Sequence, residues 1–216
     1  MRVAVTGTDE RVAQRLRAGG FEVADCPLIR IEPLDGPPLE LERYDWLLVT
    51  SRNAVVPLLG RLGGPLPRVA AIGSGTAEAL RGHGVEPALV AERSTQEGLA
   101  AALPRPAGRL LHAGAEGARD VLVRELGADF VPLYRTVPLR PRSFPDADIV
   151  VLASASAARA LAELRTDLPC VTIGPVTSDE ARRSGLVVAA EAEAHGLDGL
   201  VAAVKLAASR ASSSPS

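Results

Sequence analysis

Ile72-Gly-Ser-Gly-Thr-Ala-Glu-Ala-Leu-Arg-Gly-His-Gly84 and Ile173-Gly-Pro-Val-Thr-Ser-Asp-Glu-Ala-Arg-Arg-Ser-Gly185 are one segment written twice. Sliding Ile72–Leu103 onto Ile173–Val204 at a constant offset of 101 makes 12 of 32 positions identical without a gap. Upstream, Asp45-Trp-Leu-Leu-Val-Thr-Ser51 matches Asp148-Ile-Val-Val-Leu-Ala-Ser154 at an offset of 103. Each copy reads as a short apolar run, a small-residue turn and an Ala/Leu/Arg helix. Two similar modules follow from that register.

The copies are unequally furnished. The first module, 38–133, has a further strand-helix-strand unit over 109–133, whereas the second, from about 139, runs out of sequence after Val204. The N-terminal stretch Arg2–Ile31 supplies a unit of the right length. At an offset of 107 it matches 109–133 at Arg2/Arg109, Gly7/Gly114, Arg17/Arg124 and Gly20/Gly127. The expected layout is therefore a discontinuous domain 1 (1–32 with 139–207) and an inserted domain 2 (38–133). Two Pro-rich linker strands, 33–37 and 134–138, join them, and 208–216 is expected to be a disordered tail.

Most strand candidates are continuous apolar runs, among them Asp45–Thr50, Arg68–Ile72, Asp148–Ala153 and Cys170–Ile173. Such runs suit strands covered by helices on both faces. Ser51, Thr95, Ser156 and Thr177 are suitable helix caps. The predicted class is α/β, with two parallel-sheet, doubly wound, flavodoxin-like lobes. In such sheets ligands bind beyond the carboxyl ends of the strands. Here those ends are rich in Gly, Ser and Thr, whose loops open helices with N–H groups suited to anions.

Composition narrows the function. Lys+Arg number 24 and Asp+Glu 26, a net charge of −2, and aromatic residues make up 3%. Nucleic-acid binding is not expected from that balance. No apolar run reaches the roughly 18 residues of a membrane span, and Met1-Arg2 opens directly on a strand, so a cytosolic protein is expected. Cys26 and Cys170 read as buried thiols. Gly73-Ser-Gly-Thr-Ala-Glu78 lacks the third glycine of a dinucleotide fingerprint. His83, His112 and His195 have no metal-ligand spacing. His112 ends a strand where a ligand is expected. Ser51 and Ser154 are not in a nucleophile elbow and suit capping.

Five segments in order resemble the uroporphyrinogen-III synthase family: Val49-Thr-Ser-Arg-Asn-Ala-Val55, Ala71-Ile-Gly-Ser-Gly-Thr-Ala-Glu-Ala-Leu80, Ser94-Thr-Gln-Glu-Gly-Leu-Ala100, Tyr134-Arg-Thr136 and Ile173-Gly-Pro-Val-Thr177. The resemblance extends to about Ala207. It implies two α/β lobes on a two-strand ladder, with a cleft between them. It also implies closure of linear hydroxymethylbilane to uroporphyrinogen III with loss of water and inversion of ring D, without metal or organic cofactor. Tyr134 matches the tyrosine proposed to assist hydroxyl loss. Thr50, Ser51, Thr76, Ser154 and Thr177 match cleft-facing hydroxyls. Arg52, Ser74 and the backbone amides of Gly73, Gly174 and Val176 join them as expected substrate contacts. The expected partner is the substrate alone, with at most transient contact to the enzyme that makes it, and the expected state is a monomer. Two family arginines are absent, Thr6-Gly7 and Ala113-Gly114 standing in their places. Arg52, Arg135 and Arg159 are candidates to replace them. The rival expectation is a non-catalytic module that binds a tetrapyrrole or another polyanion.

Overall fold

The computed structural model describes residues 1–164, 167–194 and 196–212; His195 lies outside the described residues. The chain divides into two compact units, one of Met1–Arg30 with the chain from Val137 onward, the other Ile31–Thr136. Each is built on its own sheet.

The inserted unit contains β4 (Trp46–Val49), a 3-10 turn (Arg52–Ala54), α2 (Val55–Leu59), β5 (Arg68–Ala71), α3 (Ser74–Gly82), β6 (Leu89–Val90), α4 (Gln96–Ala102), β7 (Leu110–Ala115) and α5 (Val121–Leu126). With β3 (Ile29–Pro33) and β8 (Asp129–Pro138), its strands run in the order β3-β8-β7-β4-β5-β6. β4 pairs in parallel with β5 and β7, β5 with β6, and β7 with β8.

The other unit contains β1 (Arg2–Val5), α1 (Glu10–Ala18), β2 (Glu22–Asp25), β9 (Ile149–Leu152), α6 (Ala155–Ala162), β10 (Cys170–Thr172), α7 (Pro175–Arg183), β11 (Val188–Glu191) and α8 (Leu197–Ser212). Its order is β11-β10-β9-β1-β2, all parallel. Laying β9, β10 and β11 on β4, β5 and β6 brings β1 onto β7 and β2 onto β8. The N-terminal β1-α1-β2 unit therefore fills the place that β7-α5-β8 fills in the inserted unit.

The apolar runs explain the layering. Along β4, Leu47 and Val49 enter one core with Val55, Leu58 and Leu80, while Trp46 and Leu48 enter another with Leu99 and Leu122. In β1, Val3 and Val5 pack with Leu16 and Val204, and Ala4 faces the opposite core with Leu161. Side chains alternate across a strand, so a strand apolar at every position needs a helix layer on each face. Cys26 and Cys170 are free and buried; burial pushes the Cys170 thiol up to about 11.

Three boundaries differ from expectation. Glu22–Ile29, read as one strand, is two strands that belong to different sheets, broken at Cys26-Pro27-Leu28. The first linker strand is Ile29–Pro33 rather than 33–37. Ile29 and Ile31 favour extended backbone, whereas Pro37 and Pro38 have no N–H to donate to a ladder. The ladder fades at Leu34, whose N–H still reaches the Leu133 carbonyl at 2.9 Å. Lastly, α8 continues to Ser212, past the expected start of the tail at 208. Ala207, Ala208 and Arg210 are good helix formers, and Ser209 Oγ donates back to the Lys205 carbonyl at 3.0 Å.

The repeated Gly98 and Gly199 show why the copies kept a glycine. A Cβ on Gly98 would run into the Arg93 carbonyl oxygen, and one on Gly199 into the Ala194 carbonyl oxygen. Both obstacles are backbone, so relief requires moving the loop before the helix. Gly98→Ala and Gly199→Ala are each expected to cost about 2 kcal/mol and to lower Tm by roughly 5–10 °C. Thermal unfolding of the two variants checks this; an unchanged Tm in either refutes it for that unit.

Candidate functional site

In the inserted unit, Thr50 and Ser51 leave the carboxyl end of β4 and lead into the 3-10 turn. That turn packs against α3 and β7. Ser51 caps it, its Oγ accepting from Asn53 N–H at 3.1 Å. Gly73 is the N-cap of α3; Ser74 is exposed and Thr76 is buried in the first turn. Arg52 is half-buried within the 3-10 turn.

Tyr134 lies in β8 opposite Ala115 of β7. Its ring is part of the unit's apolar core and is 5% exposed. Its hydroxyl interacts with that of Ser51. Burial pushes the phenol pKa up, with the Ser51 interaction pulling the other way. Ser51 Oγ, accepting from Asn53 N–H, keeps its own proton to donate. A protonated phenol so held is a proton donor at neutral pH.

Beside this pair, Thr50 Oγ1 lies 2.9 Å from His112 Nε2. His112 is fully buried in β7. Its ring is 5.0 Å from that of Phe130, and its Nδ1 has no hydrogen-bond partner among the described residues. Desolvation lowers its pKa to about 4, so the imidazole is neutral at ordinary pH. Sequence reading had placed His112 at a strand end but left it out of the expected contacts. Its partner is 62 residues away, and only the β4–β7 register brings them together.

The other unit places its four expected residues in matching positions. Ser154 caps α6, its Oγ accepting from Ala157 N–H at 3.2 Å. Gly174 is the N-cap of α7, with Val176 exposed and Thr177 buried in its first turn. Gly73 and Gly174 have nearly the same extended backbone (φ 177°, ψ 178° and φ 163°, ψ 179°). Of the arginines considered as replacements, Arg135 pairs with Glu32 at 3.5 Å and Arg159 with Glu180 at 3.1 Å. Each is therefore already engaged with a carboxylate.

The family model described as uroporphyrinogen-III synthase HemD matches residues 10–202. The chain belongs to the uroporphyrinogen-III synthase family. A uroporphyrinogen-III synthase of Synechococcus elongatus is 25% identical over 240 residues, covering 92% of this chain and 91% of the relative. Among solved structures, the uroporphyrinogen-III synthetase of Helicobacter pylori matches with a TM-score of 0.66 at 19% identity, over 97% of this chain and 100% of that one. A mutant uroporphyrinogen III synthase of Thermus thermophilus matches with a TM-score of 0.63 at 20% identity, over 97% and 99%. These likenesses give the fold of the uroporphyrinogen-III synthase family to both units. No helix among the described residues is long and apolar enough to cross a membrane.

Proposed function

We propose that the chain acts as the synthase of its family, dehydrating and cyclising hydroxymethylbilane to uroporphyrinogen III. The observation that carries this reading is the buried Tyr134 of β8 interacting with Ser51, the cap of the turn that follows β4, next to the Thr50–His112 pair. In the proposed reaction Tyr134 gives its proton to the hydroxyl leaving the ring A hydroxymethyl carbon, which departs as water. A pyrrole nitrogen supplies the electrons, producing an azafulvene. Ring D attacks through its substituted carbon; the spiro species fragments and recloses with ring D inverted. The remaining work is positioning, since the inverted closure must outrun the direct one.

The substrate's carboxylates are assigned to Thr50, Ser51, Arg52, Gly73, Ser74 and Thr76 in the inserted unit. In the other unit they are assigned to Ser154, Gly174, Val176 and Thr177. Hydroxyls and N-terminal helix amides are suited to such anions. The same reading has the chain working in the cytoplasm as a monomer, supplied by the enzyme that makes hydroxymethylbilane.

Incubation of the protein with hydroxymethylbilane, oxidation and separation of the porphyrin isomers tests the reading. Predominant type III is the expected result. Type I alone, the spontaneous product, from folded protein would overturn it in favour of a tetrapyrrole-binding role.

A further inference from the structure

The internal repeat provides its own control for the His112–Thr50 pair. Leu48 pairs with His112 across β4 and β7, and Val151 pairs with Val5 across β9 and β1. Since Leu48 corresponds to Val151, His112 corresponds to Val5, and Thr50 to Ala153. The other unit thus builds the same corner from Val5 and Ala153, both apolar. The fold has no need of a histidine or a hydroxyl there.

A third residue belongs to the arrangement. Gly114 corresponds to Gly7. A Cβ on Gly7 would meet only Ala153 Cβ, at 3.7 Å. A Cβ on Gly114 would lie 2.9 Å from His112 Nε2 and 3.0 Å from Thr50 Oγ1. Glycine at 114 therefore lets the polar pair lie against the backbone of β7, where a side chain would displace it.

The proton on the neutral imidazole can sit on either nitrogen. On Nδ1 it would be a buried N–H without a partner, which folded proteins avoid more strictly than an unfilled acceptor. On Nε2 it is donated to Thr50 Oγ1. A hydroxyl that accepts from His112 keeps its own proton to donate. The Thr50 hydroxyl has no other hydrogen-bond partner among the described residues. We propose that His112 is a positioning residue that holds the hydroxyl of Thr50, itself only partly buried, as a hydrogen-bond donor to a substrate carboxylate. The carboxylate end of this proposal rests on the reaction proposed above; the His112–Thr50 end does not.

The two ends have separate tests. Nitrogen-15 NMR of the intact protein is expected to show His112 as the Nε2–H tautomer; the Nδ1–H tautomer would overturn the proposal. In steady-state kinetics with hydroxymethylbilane, His112→Val, which copies the other unit, is expected to raise KM about tenfold with kcat within about twofold. His112→Gln, whose amide can donate from near the Nε2 position, is expected to recover most of that loss. Thr50→Ala is expected to match His112→Val, and the double variant to be no worse than Thr50→Ala. The double variant has the pair already present in the other unit, so it is expected to fold. Unchanged KM in His112→Val, equal damage from Gln and Val, or additive losses would each overturn the positioning role. Wild-type protein yielding type I alone would overturn the reaction and the carboxylate end, while the tautomer still decides the His112–Thr50 end.

Discussion

Tyr134→Phe is expected to slow type III formation about 100-fold while leaving KM within about threefold. The asymmetry follows from where the two parts of the side chain sit. The ring is packed in the core with Leu47, Val49 and Leu133, and phenylalanine keeps that packing. Only the hydroxyl is lost, and with it at most one hydrogen bond's worth of interaction with Ser51. A single such bond contributes about 1 kcal/mol to stability, so Tm is expected to fall by only a few degrees. Proton donation to a leaving hydroxyl is a larger effect on rate. Slower enzymatic closure also gives spontaneous closure time to compete, so the product is expected to shift toward type I. Measuring rate, KM and isomer ratio on one preparation separates these effects. Undiminished type III output from Tyr134→Phe would remove Tyr134 from the chemistry and leave it a core residue.

Whether a feature could be read from sequence depended on whether its cause was local or repeated. The β4/β9 and β5/β10 correspondences were legible because apolar runs and cap residues recur in register. So was the use of β1-α1-β2 to complete the second sheet, since one copy lacked a unit that the N-terminus could supply. Weak matches such as Gly7/Gly114 prove to be the structural register of β1 on β7. The break at Cys26-Pro27-Leu28 was missed because apolar residues run through it; Pro27 marked the interruption. The Pro-rich stretch after Pro33 was read as a strand when its prolines in fact end the ladder. Ser51, Ser154 and Thr95 were legible as caps because capping is a contact within three residues. The Thr50–His112 pair was not, since it depends on which strand lies beside which and on side chains entering a corner that the other unit builds from Val5 and Ala153. Tyr134 became a candidate only through family resemblance. Nothing in its local sequence indicates that Ser51 is its partner.

Acidification from pH 6.5 to pH 4 is expected to destabilise the inserted unit by about 3 kcal/mol through His112 alone. Burial lowers its pKa from the usual 6.5 to about 4 in the folded protein. The unfolded chain therefore binds this proton more tightly than the folded one throughout that interval. Stability rises with pH across it and is lost as pH falls from 6.5 toward 4. The Thr50 bond does little to oppose this, because Nε2–H donates to Thr50 Oγ1 in the neutral and the charged imidazole alike. Desolvation of the charge sets the effect, and Phe130, the ring packed nearest, offers it no compensating anion. Carboxylates act in a lower window. Glu97, held below its ordinary range by Arg119, contributes stability that is lost only as pH falls below about 4.5. The single tryptophan, Trp46, is in β4, so its fluorescence reports on the inserted unit during denaturant unfolding. Unfolding curves at pH 7, 6, 5 and 4 are expected to show the midpoint falling most between pH 6 and 4. His112→Val is expected to flatten that interval. A slope in the variant equal to that of the wild type would mean that the folded protein admits water or an anion to the charged imidazole, and His112 would titrate near its ordinary value.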